Sequence, residues 1–185
     1  MRVLGPLFIL LALVLAEPAA ASSGALERLR EIALKKDSAS GTFSLSKEIS
    51  DLGIKVKSSG TFSIKKGEGL LWKNELPEKF TFFANADFYS FESGGKVQKK
   101  KIGDYDIAGA IEKLFAGDFS DLQEKFALSV TKFEGGEIIL KLEPKVSDIK
   151  NFITFIEVKF AGDKLARSVI SMENGDVIAI DFSEQ

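Results

Sequence analysis

From Gly41 onward the apolar residues of this chain fall at every second position, and that alternation confines it to antiparallel β-structure with one buried face. Phe43 and Leu45 alternate with Thr42, Ser44 and Ser46, and Ile54 and Val56 alternate with Lys55 and Lys57. Phe62 and Ile64 then stand between Thr61, Ser63 and Lys65. Lys66-Gly67-Glu68-Gly69 reads as a turn, after which Leu70, Leu71 and Trp72 return as a hairpin partner. Pro77 introduces a segment holding Phe80, Phe82, Phe83, Phe88, Tyr89 and Phe91, broken at Asn85-Ala86-Asp87 and closed by Gly94-Gly95, which fits two more strands. Further strands are expected over 126–133, 137–143, 152–160, 165–172 and 177–182. Gly135-Gly136, Gly162-Asp163 and Asn174-Gly175 separate most of these, the last pair as a type I′ hairpin signal.

Two stretches leave the period of two. Leu26, Leu29 and Ala33, with Ile32 beside them, recur at helical spacing through 25–36 and predict a short amphipathic helix. Between 104 and 125, Ile107, Ala108, Ile111, Leu114 and Phe115 share a helical face that Gly117 stops. Ser120 and Gln123 have the spacing of a capping box for a second short turn. The pattern predicts an α+β domain, mainly β, with about ten strands in a closed or nearly closed antiparallel barrel. The inserted helix could lie across the barrel mouth as a lid or fill the barrel permanently, and the pattern is the same for both.

The chain opens with Arg2, an apolar stretch from Val3 to Ala16, Pro18, and Ala19-Ala20-Ala21. This predicts a secretory signal peptide over 1–21, cleaved after Ala21, with 22–185 as a single domain. The apolar run is shorter than the roughly 20 residues that span a bilayer. Removing it takes away Arg2 and Glu17, so the net charge of −2 is unchanged, and nothing in it points to nucleic acid.

There is no cysteine and no histidine. A disulfide, a thiolate nucleophile and a lipid-modified cysteine are therefore excluded, together with the usual near-neutral general base and the commonest metal ligand. An enzyme is not expected, and no catalytic residue, metal or cofactor is assigned. Asp104, Asp106, Asp118 and Asp121 read as helix-start residues before they read as a metal cluster.

Sixteen Phe beside one Trp and two Tyr is an unusual choice of aromatic. Phe suits a β core, and equally it can line a concave sheet that makes no hydrogen-bonding demands, as an acyl chain requires. Alternation places Phe43, Phe62, Ile64, Trp72, Phe80, Phe82 and Phe91 on such a cavity face, with Ile107, Ile111, Leu114 and Phe115 as the lid. Lys96, Lys99, Lys100 and Lys101 read as a solvated strand edge guarded against aggregation, with a docking patch for lipid phosphates or an acidic partner as the alternative.

The stretch from Ser58 to Pro77 carries Gly60, a hydrophobic strand, Lys66, a turn, Trp72, four residues and then Pro77. In that order and spacing it resembles the hallmark segment of LolA-type periplasmic lipoprotein carriers. The resemblance continues through the Phe-rich strands, the helical insertion, Leu142-Glu143-Pro144, and the closing strands that end at Phe182. It implies a half-open barrel of eleven strands with a helical lid. Such a carrier is monomeric and holds acyl chains of a lipoprotein or lipid cargo in the periplasm, between an inner-membrane exporter and an outer-membrane acceptor.

Two departures stand out. The family's Arg-Pro pair falls on Lys66-Gly67, so the latch candidate is a Lys without the planar fork of donors, and the Tyr-Asp-Pro motif is missing near Tyr89 and Phe91. The Gly69-Leu70-Leu71-Trp72 form is more like a related branch linked to other lipids or glycolipids, which stays open as an alternative. A lipid-sensing regulator would need a second domain. A Ser-Lys hydrolase finds no motif in Ser44, Ser46 and Lys47. The acceptor LolB shares the fold but is a lipoprotein, which the missing Cys argues against.

Overall fold

The computed structural model describes residues 19–85, 87–101 and 119–185. Helix α1 (Ala19–Lys35) leads into the long strands β1 (Ser38–Ile49) and β2 (Ile54–Lys65), followed by β3 (Gly69–Leu76), β4 (Phe80–Ala84), β5 (Phe88–Ser93) and β6 (Lys96–Lys101). Helix α2 (Ser120–Lys125) precedes β7 (Phe126–Glu134) and β8 (Glu137–Pro144). One turn of helix, α3 (Ser147–Lys150), then leads to β9 (Ile153–Ala161), β10 (Lys164–Met172) and β11 (Val177–Glu184).

All eleven strands form one antiparallel sheet in the order β6-β5-β4-β3-β2-β1-β11-β10-β9-β8-β7. The two ends of the sheet, β6 and β7, do not pair with each other, so the barrel is half-open. Neighbouring strands are consecutive in the chain, β8 and β9 joined through α3 and the others by short connections, except β1 and β11, where the two halves of the chain zip together from Gly41–Glu184 to Glu48–Val177.

Several expectations are corrected at the level of single elements. The alternations at Ile54–Val56 and Phe62–Ile64 belong to one strand, β2, which runs on through Ser58 and Ser59. Ile54 and Val56 are exposed rather than half-buried, in the part of β2 that runs past β3, which pairs with it only from Ser59 onward. Helix α1 begins at Ala19, since alanine is the strongest helix former and continues the helix upstream of residue 25.

The capping-box spacing of Ser120 and Gln123 is not used. Helix α2 starts on Phe119, which is buried, and the Gln123 N–H donates to the Phe119 carbonyl at 2.8 Å. Nor is the β10–β11 turn type I′, which needs positive φ at both central residues. Only Gly175 has a positive φ there, in a four-residue loop where its N–H donates to the Met172 carbonyl.

The core lies in two parts on the concave side. In the larger, Leu29 and Ile32 of α1, together with Phe119 and Leu122, pack on Phe126, Leu140, Val158, Phe160 and Leu165 of β7 to β10. The smaller comprises Ala39, Phe43, Phe62, Ile64 and Leu70, with Leu45, Trp72, Phe82, Ile180 and Phe182 packed against it half-buried. Helical cover therefore sits over the β7–β10 half of the sheet among the described residues, and the β1–β5 half presents its aromatic side chains.

Candidate functional site

In an antiparallel ladder, residues directly opposite one another project from the same face. Phe62 opposes Trp72, Trp72 opposes Phe82, and Phe82 opposes Phe91, which makes a row across β2, β3, β4 and β5. Phe43 opposes Gly60 on one side and Phe182 on the other, so it joins that face, as do Ile64 through Leu70 and Phe80 through Asn74. All seven residues assigned to a cavity from alternation thus share the concave face of the sheet.

The aromatic rings are in contact along that row. The ring of Phe43 stacks on that of Trp72 with centroids 3.6 Å apart, and no side chain on Gly60 stands between them. Phe62 meets Phe182 edge-on at 5.2 Å, and Phe80 lies 5.1 Å from Phe91. Exposure rises along the row. Phe43 and Phe62 are each 3% exposed, Trp72, Phe80 and Phe82 are half-buried, and Phe91 is 38% exposed. The concave aromatic face is closed at β1–β2 and open at β5.

Asn74 is a polar member of this face that alternation overlooked. It is buried, and its Nδ2 donates to the carbonyls of Leu76 (3.0 Å) and Glu78 (2.6 Å), tying the β3–β4 turn down. Its Oδ1 is buried without a partner among the described residues.

At the other end of the strands a recess opens between α1 and the sheet, with an empty volume of about 570 Å3 that includes open solvent. Leu29, Ile32, Ala39, Ile64, Phe119, Phe160 and Leu165 line it, and Lys36, Asp37, Lys66, Asp163 and Glu184 stand around it. It lies where the two halves of the core meet, with Ile64 belonging to one and Leu29, Phe119, Phe160 and Leu165 to the other. The helical period marked Leu29 and Ile32, but only the tertiary structure brings them against Phe160 and Leu165.

Glu184 closes one side of the recess. Its buried carboxylate pairs with Lys36 and accepts from the Leu165 N–H at 3.2 Å, so it pins the end of α1 to β10. Lys66, the latch candidate, lines the recess, and its backbone N–H donates to the Asp37 carbonyl at 2.9 Å. Its side chain is exposed and makes no hydrogen bond or ion pair among the described residues. The lid residues Ile107, Ile111, Leu114 and Phe115 lie outside the described residues.

The perturbed carboxylates are elsewhere. Asp176 is held below its ordinary range by the Ser50 N–H at 3.0 Å and then by Lys47, against a burial cost, and it braces the β10–β11 turn on the β1–β2 turn. Glu137, between Lys132 and Lys159, is drawn down to about 2 by those two ammonium groups. It projects from the convex face, since its neighbour Ile138 opposes the core residue Phe160. No group of three or more acidic residues that could hold a metal ion occurs among the described residues. What the concave face offers is apolar contact.

No protein-family model matches this sequence, and no curated protein matches it. Solved structures similar to it include a LolA superfamily protein from Nitrosomonas europaea, at 10% identity over 88% of this chain and 91% of that chain, with a TM-score of 0.46. An outer membrane lipoprotein-sorting protein domain from Vibrio parahaemolyticus is similar at 11% identity over 87% and 91%, with a TM-score of 0.42. The lipoprotein LppX of Mycobacterium tuberculosis is similar at 13% identity over 87% and 94%, with a TM-score of 0.45.

Proposed function

We propose that this chain is an exported, non-catalytic carrier that buries the acyl chains of a lipid or lipoprotein against the concave face of its sheet. The observation that carries the reading is the row Phe62, Trp72, Phe82, Phe91, with Phe43 stacked on Trp72, on one face of a barrel that does not close. Exposing a chain of about 16 carbons to water costs on the order of 12 kcal/mol, at about 0.8 kcal/mol per methylene. An apolar face without hydrogen-bonding demands offsets that cost for chains of many shapes. An unclosed sheet lets them leave again.

The motif from Gly60 to Pro77, like that of the LolA-type carriers, supports the finer reading. In it the protein works in the periplasm as a monomer, receives acylated cargo from an inner-membrane exporter and delivers it to an outer-membrane acceptor. The Gly69-Leu70-Leu71-Trp72 form favours a lipid or glycolipid cargo as the second reading.

Trp72 is the single tryptophan and lies in the row, so its fluorescence reports on the site directly. Titrating the purified mature protein with a long-chain fatty acid is expected to shift the Trp72 emission to the blue and to saturate. Native mass spectrometry of the protein taken from periplasm is expected to show a bound lipid or lipoprotein released only on denaturation. A clean apo mass together with an unmoved Trp72 emission would return these aromatics to the role of ordinary core.

A further inference from the structure

The two edges of the sheet are managed differently. Strand β7 packs against α1 and α2, whereas among the described residues β6 pairs with β5 alone, and all six of its residues are exposed. An open edge is a row of unpaired N–H and C=O groups ready to accept another strand. On this edge four of six residues are lysines, namely Lys96, Lys99, Lys100 and Lys101, in a chain whose net charge is −2. None of the four forms an ion pair among the described residues, and the facing strand β5 offers only Glu92 as a carboxylate. Lys99 lies instead over the ring of Phe88 at 3.4 Å, which fixes its stem against the convex face.

The register decides what such an edge can receive. Lys100 opposes Tyr89 and Lys96 opposes Ser93, each two residues from Phe91 along β5, so both project from the concave face. Lys99 and Lys101 oppose Ser90 and Phe88, so they project from the convex face. A bilayer meets one face of a sheet. An extended peptide added to the edge has side chains on both faces, opposite both pairs of lysines. A second copy of β6 would set lysine against lysine and is repelled.

We infer that β6 is a docking edge for an acidic extended segment of a partner protein, which adds as a twelfth strand and places its carboxylates beside Lys96 and Lys100 on one face and Lys99 and Lys101 on the other. The same lysines that reject neutral or basic strands select this one, and the site lies one strand beyond Phe91, where the aromatic row proposed to hold lipid ends.

The test uses the full mature chain and a short Glu-Val peptide of repeating Glu-Glu-Val-Val, which sets carboxylates on both faces of an added strand. Three comparators are the Lys-Val peptide, the Glu-Val peptide N-methylated at every backbone amide, and vesicles of phosphatidylglycerol. The Glu-Val peptide is expected to bind, to weaken as salt is raised, and to slow amide hydrogen exchange within Lys96–Lys101. The Lys-Val and N-methylated peptides are expected to leave exchange there unchanged. Lys99→Glu with Lys100→Glu, one reversal per face, is expected to weaken peptide binding about tenfold or more while fatty-acid uptake at Trp72 and thermal stability stay as in wild type. Equal binding of the N-methylated peptide, no slowing of exchange in β6, or lysine-dependent binding of the vesicles in place of the peptide would each overturn the inference.

Discussion

Gly60 shows how much rests on a missing side chain. A Cβ built on it would come within 1.9 Å of the Lys73 carbonyl oxygen, and the neighbouring strand has no side chain to move out of the way. Gly60→Ala is expected to cost about 1–3 kcal/mol through forced backbone shifts, read as a lower denaturant midpoint with an unchanged slope. The same substitution at Gly53, where a Cβ would meet nothing but φ is +60°, separates backbone strain from collision. Charge acts at this scale too. The folded pKa of Glu137, about 2, is depressed from the ordinary 4.5, so its contribution to stability is complete above that ordinary value and is lost as pH falls towards 2. Glu137→Gln is expected to melt below wild type at neutral pH, and the gap should close as pH is lowered through that window. A gap that stays constant in acid would assign the effect to packing on Lys132 and Lys159 rather than to charge.

Among the elements, α1 and the β4–β5 hairpin carry opposite duties. Leu29 of α1 is 3% exposed within the larger core, and Leu29→Ala is expected to destabilise by about 2–5 kcal/mol, as expected for a truncated core leucine. Phe82 of β4 is half-buried on the open part of the aromatic face, so Phe82→Glu should leave a folded barrel by circular dichroism while abolishing retention of fatty acid. Retention unchanged in Phe82→Glu, with Trp72 still responding, would move the acyl site to the recess at Leu29 and Ile64. Element boundaries also show where local signals lose to packing. Asn174-Gly175 satisfies the composition of a type I′ turn, yet the loop takes another form in which the Asn174 Oδ1 accepts from the Asp176 N–H at 3.1 Å. There Asp176 caps Ser50 in the neighbouring turn, a long-range bond that no dipeptide can report.

At the scale of the whole molecule, the strand pairs β2–β3 and β10–β11 were legible as neighbours because they are joined by short turns. The pairing of β1 with β11 was not, since it joins residues from opposite ends of the chain. The alternation of Phe43, Phe62, Ile64, Trp72, Phe80, Phe82 and Phe91 determined by itself that these side chains share a face, because a period of two leaves only two faces to choose between. The composition, with neither cysteine nor histidine, likewise determined that their chemistry is absent. Only the tertiary structure decided that the sheet stays open between β6 and β7, that helices cover one edge, and that Phe160 and Leu165 close on Leu29 from far along the chain. Alternation is a local property of the pleat, whereas closure and cover depend on contacts between segments whose separation in sequence carries no record of their distance in space.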